Sequence, residues 1–101
     1  MSSQYLFKHP DAVKQFIFDF EADIPTDDFI GDYTITAFDS DDVDRQDEVI
    51  RSVVINTTDI TVEFQAGIDG QNYRVTVIVS LDVSTTTPTK IIELRVRSKE
   101  V

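Results

Sequence analysis

From Gln71 to Val83 the sequence reads QNYRVTVIVSLDV, with Tyr73, Val75, Val77, Val79, Leu81 and Val83 on every second position. A β-strand turns successive side chains to opposite faces, so this period predicts a long strand with one apolar side. Arg74, Thr76, Ile78, Ser80 and Asp82 share the other side, and their mostly polar character suits an antiparallel sheet with one face in water. Such a strand needs an opposing apolar layer, so an all-β domain is expected.

The rest of the chain supplies that layer. VKQFIFDF, from Val13 to Phe20, sets Phe16, Phe18 and Phe20 at period two, a strand with its phenylalanine side toward the core. Asp11 could cap a helix over Asp11 to Ile17, but the phenylalanine spacing weighs against it. Tyr33 to Phe38 predicts a strand with Tyr33, Ile35 and Ala37 on one side. Val49 to Ile55 and Ile60 to Ala66 predict two more, with Ile60, Val62, Phe64 and Ala66 sharing a face. Lys90 to Arg97 puts Ile92, Leu94 and Val96 inward and Ile91, Glu93, Arg95 and Arg97 outward. Pro25 and Gly31 punctuate the loop Glu21 to Asp32, Pro88 marks the Thr-rich turn Ser84 to Thr89, and Gly67 and Gly70 bracket a turn expected to be of hairpin type. The architecture expected is an immunoglobulin-like β-sandwich of about seven antiparallel strands in a single domain, with a small barrel second. The domain is placed at residues 10–101, behind an N-terminal arm at residues 1–9. Tyr5, Leu6 and Phe7 make that arm one that docks, because disordered tails are poor in aromatics.

Composition narrows function. The 101 residues carry a formal net charge of -10. All of it lies in residues 1–50, with 13 acidic against 3 basic side chains, while residues 51–101 hold 6 of each. An acidic surface repels phosphate, so nucleic acid is excluded as a partner. No run is long and apolar enough for a membrane span, and MSSQYLFKHP lacks the pattern of a secretory leader. Without cysteine, neither disulfides nor thiolate metal sites are available. Arg95, Arg97 and Lys99 gather on the last strand, either as a solvated face or as a contact for an acidic patch on a partner or a second copy.

Candidate sites are few. The run Asp39 to Glu48 holds Asp39, Asp41, Asp42, Asp44, Asp47 and Glu48, hard oxygens of the kind calcium takes, and Asp27, Asp28 and Asp32 could join them at one end of a sandwich. Counted from Asp39, however, Val43, Asp44 and Ile50 fall at the fifth, sixth and twelfth positions, which breaks the EF-hand pattern. A solvated loop is the reading, with a weak cation site at Asp39, Asp41, Asp42 and Asp44 the alternative. His9 is the single histidine and makes neither a metal site nor, without a distant partner, a catalytic dyad. Asn56-Thr57-Thr58 fits a glycosylation sequon but is read as a turn-forming asparagine. A glycosidase carboxylate pair has no sugar cleft to serve, and the chain has no Trp. Ile78 and Ile91 point outward and could join a contact patch. No catalytic residue and no cofactor is expected.

Lys8-His9-Pro10-Asp11-Ala12-Val13, Phe18-Asp19-Phe20, Asp28-Phe29-Ile30, and Gly67, Gly70 and Tyr73-Arg74-Val75-Thr76 followed by Leu94-Arg95-Val96-Arg97 together resemble a known group. It is the small immunoglobulin-like proteins of tailed bacteriophages and prophages described as fiber-tail adaptors or minor virion structural proteins. The likeness runs from about Lys8 to Lys99, with departures: Phe20 stands where the family has Trp, the turn before the last strand is Thr-rich with Pro88, and the acidic loop is more charged. The resemblance implies a non-enzymatic virion component, made in the bacterial cytoplasm. It would join tail, neck or fiber proteins, as a monomer alone and a multimer in the particle. The contact candidates are Tyr5 and Phe7 on the arm, Asp41, Asp42 and Asp44 on the acidic loop, and Arg95 and Arg97 on the last strand. The rival class is a calcium-binding adhesion or carbohydrate-binding β-sandwich module, motivated by the acidic loop.

Overall fold

The computed structural model describes residues 4–98. Its strands in chain order are β1 (Gln4–Lys8), β2 (Lys14–Asp19), β3 (Ile30–Phe38), β4 (Ile50–Ile55), β5 (Asp59–Phe64), β6 (Asn72–Leu81) and β7 (Thr89–Val96), with a 3-10 turn at Glu21–Asp23 and one helical turn, α1 (Gln46–Val49). They form a four-stranded sheet, β1-β7-β6-β3, and a three-stranded sheet, β2-β5-β4. All pairs are antiparallel except β1 with β7.

The alternation read in the sequence builds the core of this sandwich. Tyr73, Val75, Val77, Val79 and Leu81 from β6 meet Phe18, Ile60, Val62 and Phe64 from the smaller sheet, with Ile92, Leu94 and Val96 of β7 beside them, all buried. Phe16 and Phe18 pack edge to face at 4.9 Å between centroids, a geometry the ring quadrupole favours. Phe20, just past β2, is fully buried.

Four expectations are corrected. Val83 is 73% exposed, because β6 ends at Leu81: the Asp82 N–H donates to the Phe29 carbonyl, and the Asp28 carboxylate takes the Val83 and Ser84 N–H groups, which draws the chain off the strand. The Gly67–Gly70 turn is a crossover and no hairpin, since β5 and β6 lie in different sheets. Left-handed backbone at Ala66 (φ 48°), Gly67 (φ 92°) and Gly70 (φ 87°) makes the crossing, so Ala66 leaves the core face and is exposed. Val49 ends a helical turn instead of opening a strand; Asp44 Oδ1 accepts the Gln46 N–H, which starts the turn and buries Val49 completely. Finally, Gln4–Lys8 is no separate arm but an edge strand of the larger sheet, with Lys8 1% exposed; residues 1–3 lie outside the described residues.

Candidate partner-binding face

Strand β1 sets Tyr5 opposite Glu93 and Phe7 opposite Arg95 of β7. Alternation sends Leu6 and Lys8 toward the other sheet, so Tyr5 and Phe7 stand on the outer face, 49% and 44% exposed. The registers of β7 with β6 and of β6 with β3 extend the first row, Glu93 facing Arg74 and Arg74 facing Phe38. One row across all four strands is therefore Tyr5, Glu93, Arg74 and Phe38. Beside it lie Phe7 with Arg95 and Asn72, and, on the other flank, Ile91 with Thr76 and Thr36.

Two arginines order this face. The Arg95 guanidinium lies 3.7 Å from the Tyr5 ring centre and 5.6 Å from that of Phe7, and its Nε donates to Glu93 Oε1 at 2.7 Å. That bond to Glu93 holds the guanidinium above its ordinary pKa, against partial burial. Arg74 sits 5.7 Å from the Phe38 ring centre and 3.7 Å from the Asp42 carboxylate. Each guanidinium thus has an aromatic ring and a carboxylate, a pairing its planar, weakly hydrated group suits. Side chains held in this way have less rotamer freedom to lose when a partner arrives.

The acidic run folds around Asp39. Its Oδ1 accepts the N–H groups of Asp41 at 2.9 Å and Val43 at 3.0 Å, and its Oδ2 accepts Arg45 Nε at 3.0 Å. The Val43 N–H first, and then Arg45, hold this carboxyl below the usual carboxylate range. Asp42, at φ 59°, closes the turn with its N–H on the Asp39 carbonyl. The loop then lies along β3, the Arg45 N–H donating to the Ala37 carbonyl. Among the described residues no three His, Cys, Asp or Glu side chains are grouped to hold a metal ion. Asp27, Asp28 and Asp32 do not join Asp39 to Asp44, because the first group lies just before and at the start of β3 and the second follows its far end, at the opposite end of the sandwich. Asp28 instead fastens its own end: burial pushes its carboxyl up, but the N–H groups of Val83, Ser84, Phe29 and Asp82 together outweigh burial and hold it low.

Of the contact residues expected from sequence, Tyr5, Phe7 and Arg95 are brought together on one face, and Asp42 reaches it through Arg74. Asp41 and Asp44 are exposed on the adjoining loop. Arg97, just past β7, is tied to the end of that face, donating through Nη1 to the Gln71 and Val96 carbonyls and through Nη2 to Asn72 Oδ1. Lys99 lies outside the described residues. His9 accepts the Asp11 N–H on Nδ1 within the turn after β1, and Asn56 donates to Asp59 across its turn. Lys8 Nζ donates to the His9 and Pro10 carbonyls, and burial lowers its pKa against the pull of Asp11. Phe38, Arg74 and Glu93 were not foreseen as contact residues; only the strand registers place them beside Tyr5 and Arg95.

The family model described as "Podophage GP4 fiber-tail adaptor protein gp77" matches residues 8–92. Comparison with curated proteins and with solved structures gives no match. The matched span takes in β2 to β6 and the first half of β7. It leaves outside Tyr5, Phe7, Glu93 and Arg95, the four residues that meet on the outer face.

Proposed function

The chain belongs to the podophage GP4 fiber-tail adaptor (gp77) family, and on that footing we propose that it is a non-enzymatic structural part of a tailed-phage or prophage virion, joining tail or neck proteins to each other or to fibers. The family match across residues 8–92 is the observation that carries this reading. Support comes from the pairing orders β2-β5-β4 and β7-β6-β3, which are those of the B-E-D and G-F-C strands of immunoglobulin-like sandwiches. Tyr73, at the start of β6, accepts the Ile68 N–H on its hydroxyl at 3.0 Å, as in the tyrosine corner of such domains. A rigid sandwich of this kind works as a spacer, presenting a face that neighbouring virion proteins grip.

The face suits that work. Aromatic and arginine side chains are enriched where proteins meet, and carry much of the binding energy there. Tyr5, Phe7, Phe38, Arg74 and Arg95 are of these types, and each arginine is already held beside a ring.

Mass spectrometry of intact, gradient-purified particles of the phage or prophage that encodes the chain tests the reading. The expected result is the chain at a fixed ratio to the portal and tail proteins. Its absence from clean particles would overturn the virion role.

A further inference from the structure

We propose that the free edge of β2 takes up an extended segment of another protein as an added strand, antiparallel to β2, with basic side chains at both ends of its outward face and an apolar one between. The inference rests on the adaptor reading only in expecting that segment to come from a neighbouring virion protein.

The topology leaves the place open. Immunoglobulin-like sandwiches of the constant type order one sheet A-B-E-D. Here β2, β5 and β4 fill the last three positions, and β1, which precedes them in the chain, pairs instead with β7 in the other sheet. Among the described residues no strand lies beside β2 except β5. A groove runs along this side, lined on β2 by Phe16, Phe18 and Asp19 and on the larger sheet by Gln4, Lys90 and Ile92.

The backbone defines what fits there. The Phe20 N–H donates to the Thr58 carbonyl, one step beyond the pair Asp19 and Asp59. Antiparallel ladders alternate, so Phe16 and Phe18 also bond to β5, while Gln15, Ile17 and Asp19 turn their N–H and C=O groups away from it. Among the described residues no hydrogen bond reaches those groups. Another extended backbone satisfies such a row, an antiparallel guest bonding twice to each of the three residues.

The other edges are guarded, as exposed strands usually are. Lys14 Nζ caps the Phe7 carbonyl of β1 at 2.8 Å. Along β3, the Thr57 carbonyl takes the Ile30 N–H, Asp32 Oδ1 takes the Tyr33 N–H, and the Arg45 N–H donates to the Ala37 carbonyl. Strand β4 shifts register between Ile50 and Ser52, a bulge that interrupts its row. Strand β2 has neither bulge nor proline in its six residues, and carries charge only at its ends, Lys14 and Asp19.

Side chains set the chemistry of the guest. Ile17 is 57% exposed and Val54, across Thr61 in the same row, 54%. An apolar guest residue opposite Ile17 extends that row. On either side of it Asp19 faces Asp59 and Gln15 faces Glu63 on β5, so the flanking outward positions of the guest suit Lys or Arg. Its inward side chains lie beside Phe16 and Phe18, where apolar residues fit.

Amide NMR of the isotope-labelled full chain, titrated with the peptide acetyl-Thr-Lys-Val-Ile-Val-Lys-Thr-amide to about 2 mM, tests this at a concentration suited to main-chain bonds that are individually modest in water. In the free chain the amide hydrogens of Gln15, Ile17 and Asp19 should exchange fast and those of Phe16 and Phe18 slowly. The peptide should shift the first three signals and slow their exchange. Methylating the backbone nitrogen of the peptide isoleucine, which faces Ile17, removes one bond and should weaken binding at least ~10-fold. Exchanging both peptide lysines for glutamate should weaken it at least ~5-fold at low salt. Slow exchange at Gln15, Ile17 and Asp19 in the free chain, shifts centred on another surface, no shifts, or equal binding of the methylated peptide would each overturn the proposal. Equal binding of the glutamate peptide would overturn the basic chemistry given to the guest. The adaptor reading stands or falls separately, on particle composition.

Discussion

Replacing Tyr73 by Phe tests what holds the crossing between the two sheets. Tyr73 is fully buried, and its hydroxyl accepts the N–H of Ile68, five residues upstream. The substitution keeps the ring, so packing of the core is unchanged apart from one oxygen. What disappears is a hydrogen bond, and the Ile68 N–H stays behind. A typical bond is worth about 1 kcal/mol net, while a stranded buried donor costs about 1–3 kcal/mol. The Ile68 side chain is 53% exposed, so water reaches this corner and the low end of that range, about 1–1.5 kcal/mol, is expected. For a domain of this length each kcal/mol shifts the midpoint by about 4–8 °C, so Tm should drop by roughly 4–12 °C. Because the chain lacks Trp, urea unfolding is best followed by far-UV circular dichroism, with an unchanged m-value. A loss below about 0.3 kcal/mol, well short of one hydrogen bond, would refute the reasoning and show that the glycines and strand pairing hold the corner unaided.

Gly67→Ala should destabilise by about 1–3 kcal/mol, since φ of 92° strains any L side chain and the new Cβ would lie 2.8 Å from Val96 Cγ2. Gly70→Ala, with φ of 87° but nothing within 4 Å, should cost about 1 kcal/mol, strain alone; equal losses in denaturant titrations would show that Val96 simply moves aside. Acid should weaken the fold through Asp28 and Asp39. Their pKa values are lowered in the folded chain, so their stabilisation is complete above the unfolded value near 4 and fades as pH falls through the folded values. Tm should therefore fall between about pH 5 and pH 2.5, and Asp39→Asn should flatten the fall. A variant whose Tm keeps the wild-type slope would mean that other carboxylates govern acid unfolding.

What was legible in the sequence was what depends on neighbours along the chain. The period of two marked β2, β6 and β7 and their inward residues, because a strand with one wet face must alternate. Apart from the helical turn at Val49, the failures are contacts between distant positions. Gly67 and Gly70 announce left-handed backbone, yet nothing local says whether the chain turns back into its own sheet or crosses to the other. The end of β6 is set by Asp28, 55 residues away from Val83. Strand β1 escaped because its inward positions, Gln4, Leu6 and Lys8, hold one apolar side chain and a buried lysine. The candidate face is half legible: the sequence singles out Tyr5, Phe7 and Arg95, but as an arm and a basic strand. The parallel register of β1 on β7 makes them one surface.

The acidic run is solvated at Asp41, Asp42, Asp44 and Asp47, as its charge pattern predicts, and departs from the pattern at Asp39. Read as solvated side chains, its like charges repel and gain nothing from proximity. In the fold, Asp39 is 8% exposed and its oxygens are occupied by two backbone N–H groups and Arg45. The repulsion is offset by hydrogen bonds that lay the loop on β3 and close part of an exposed edge. Asp28 does the corresponding work at the other end. Both loops lie within the family match, whereas Tyr5, Phe7, Glu93 and Arg95 lie outside it. The matched span thus carries the two loops that secure the ends of the sandwich, while β1 and the second half of β7, with the buried Leu94 and Val96, complete it.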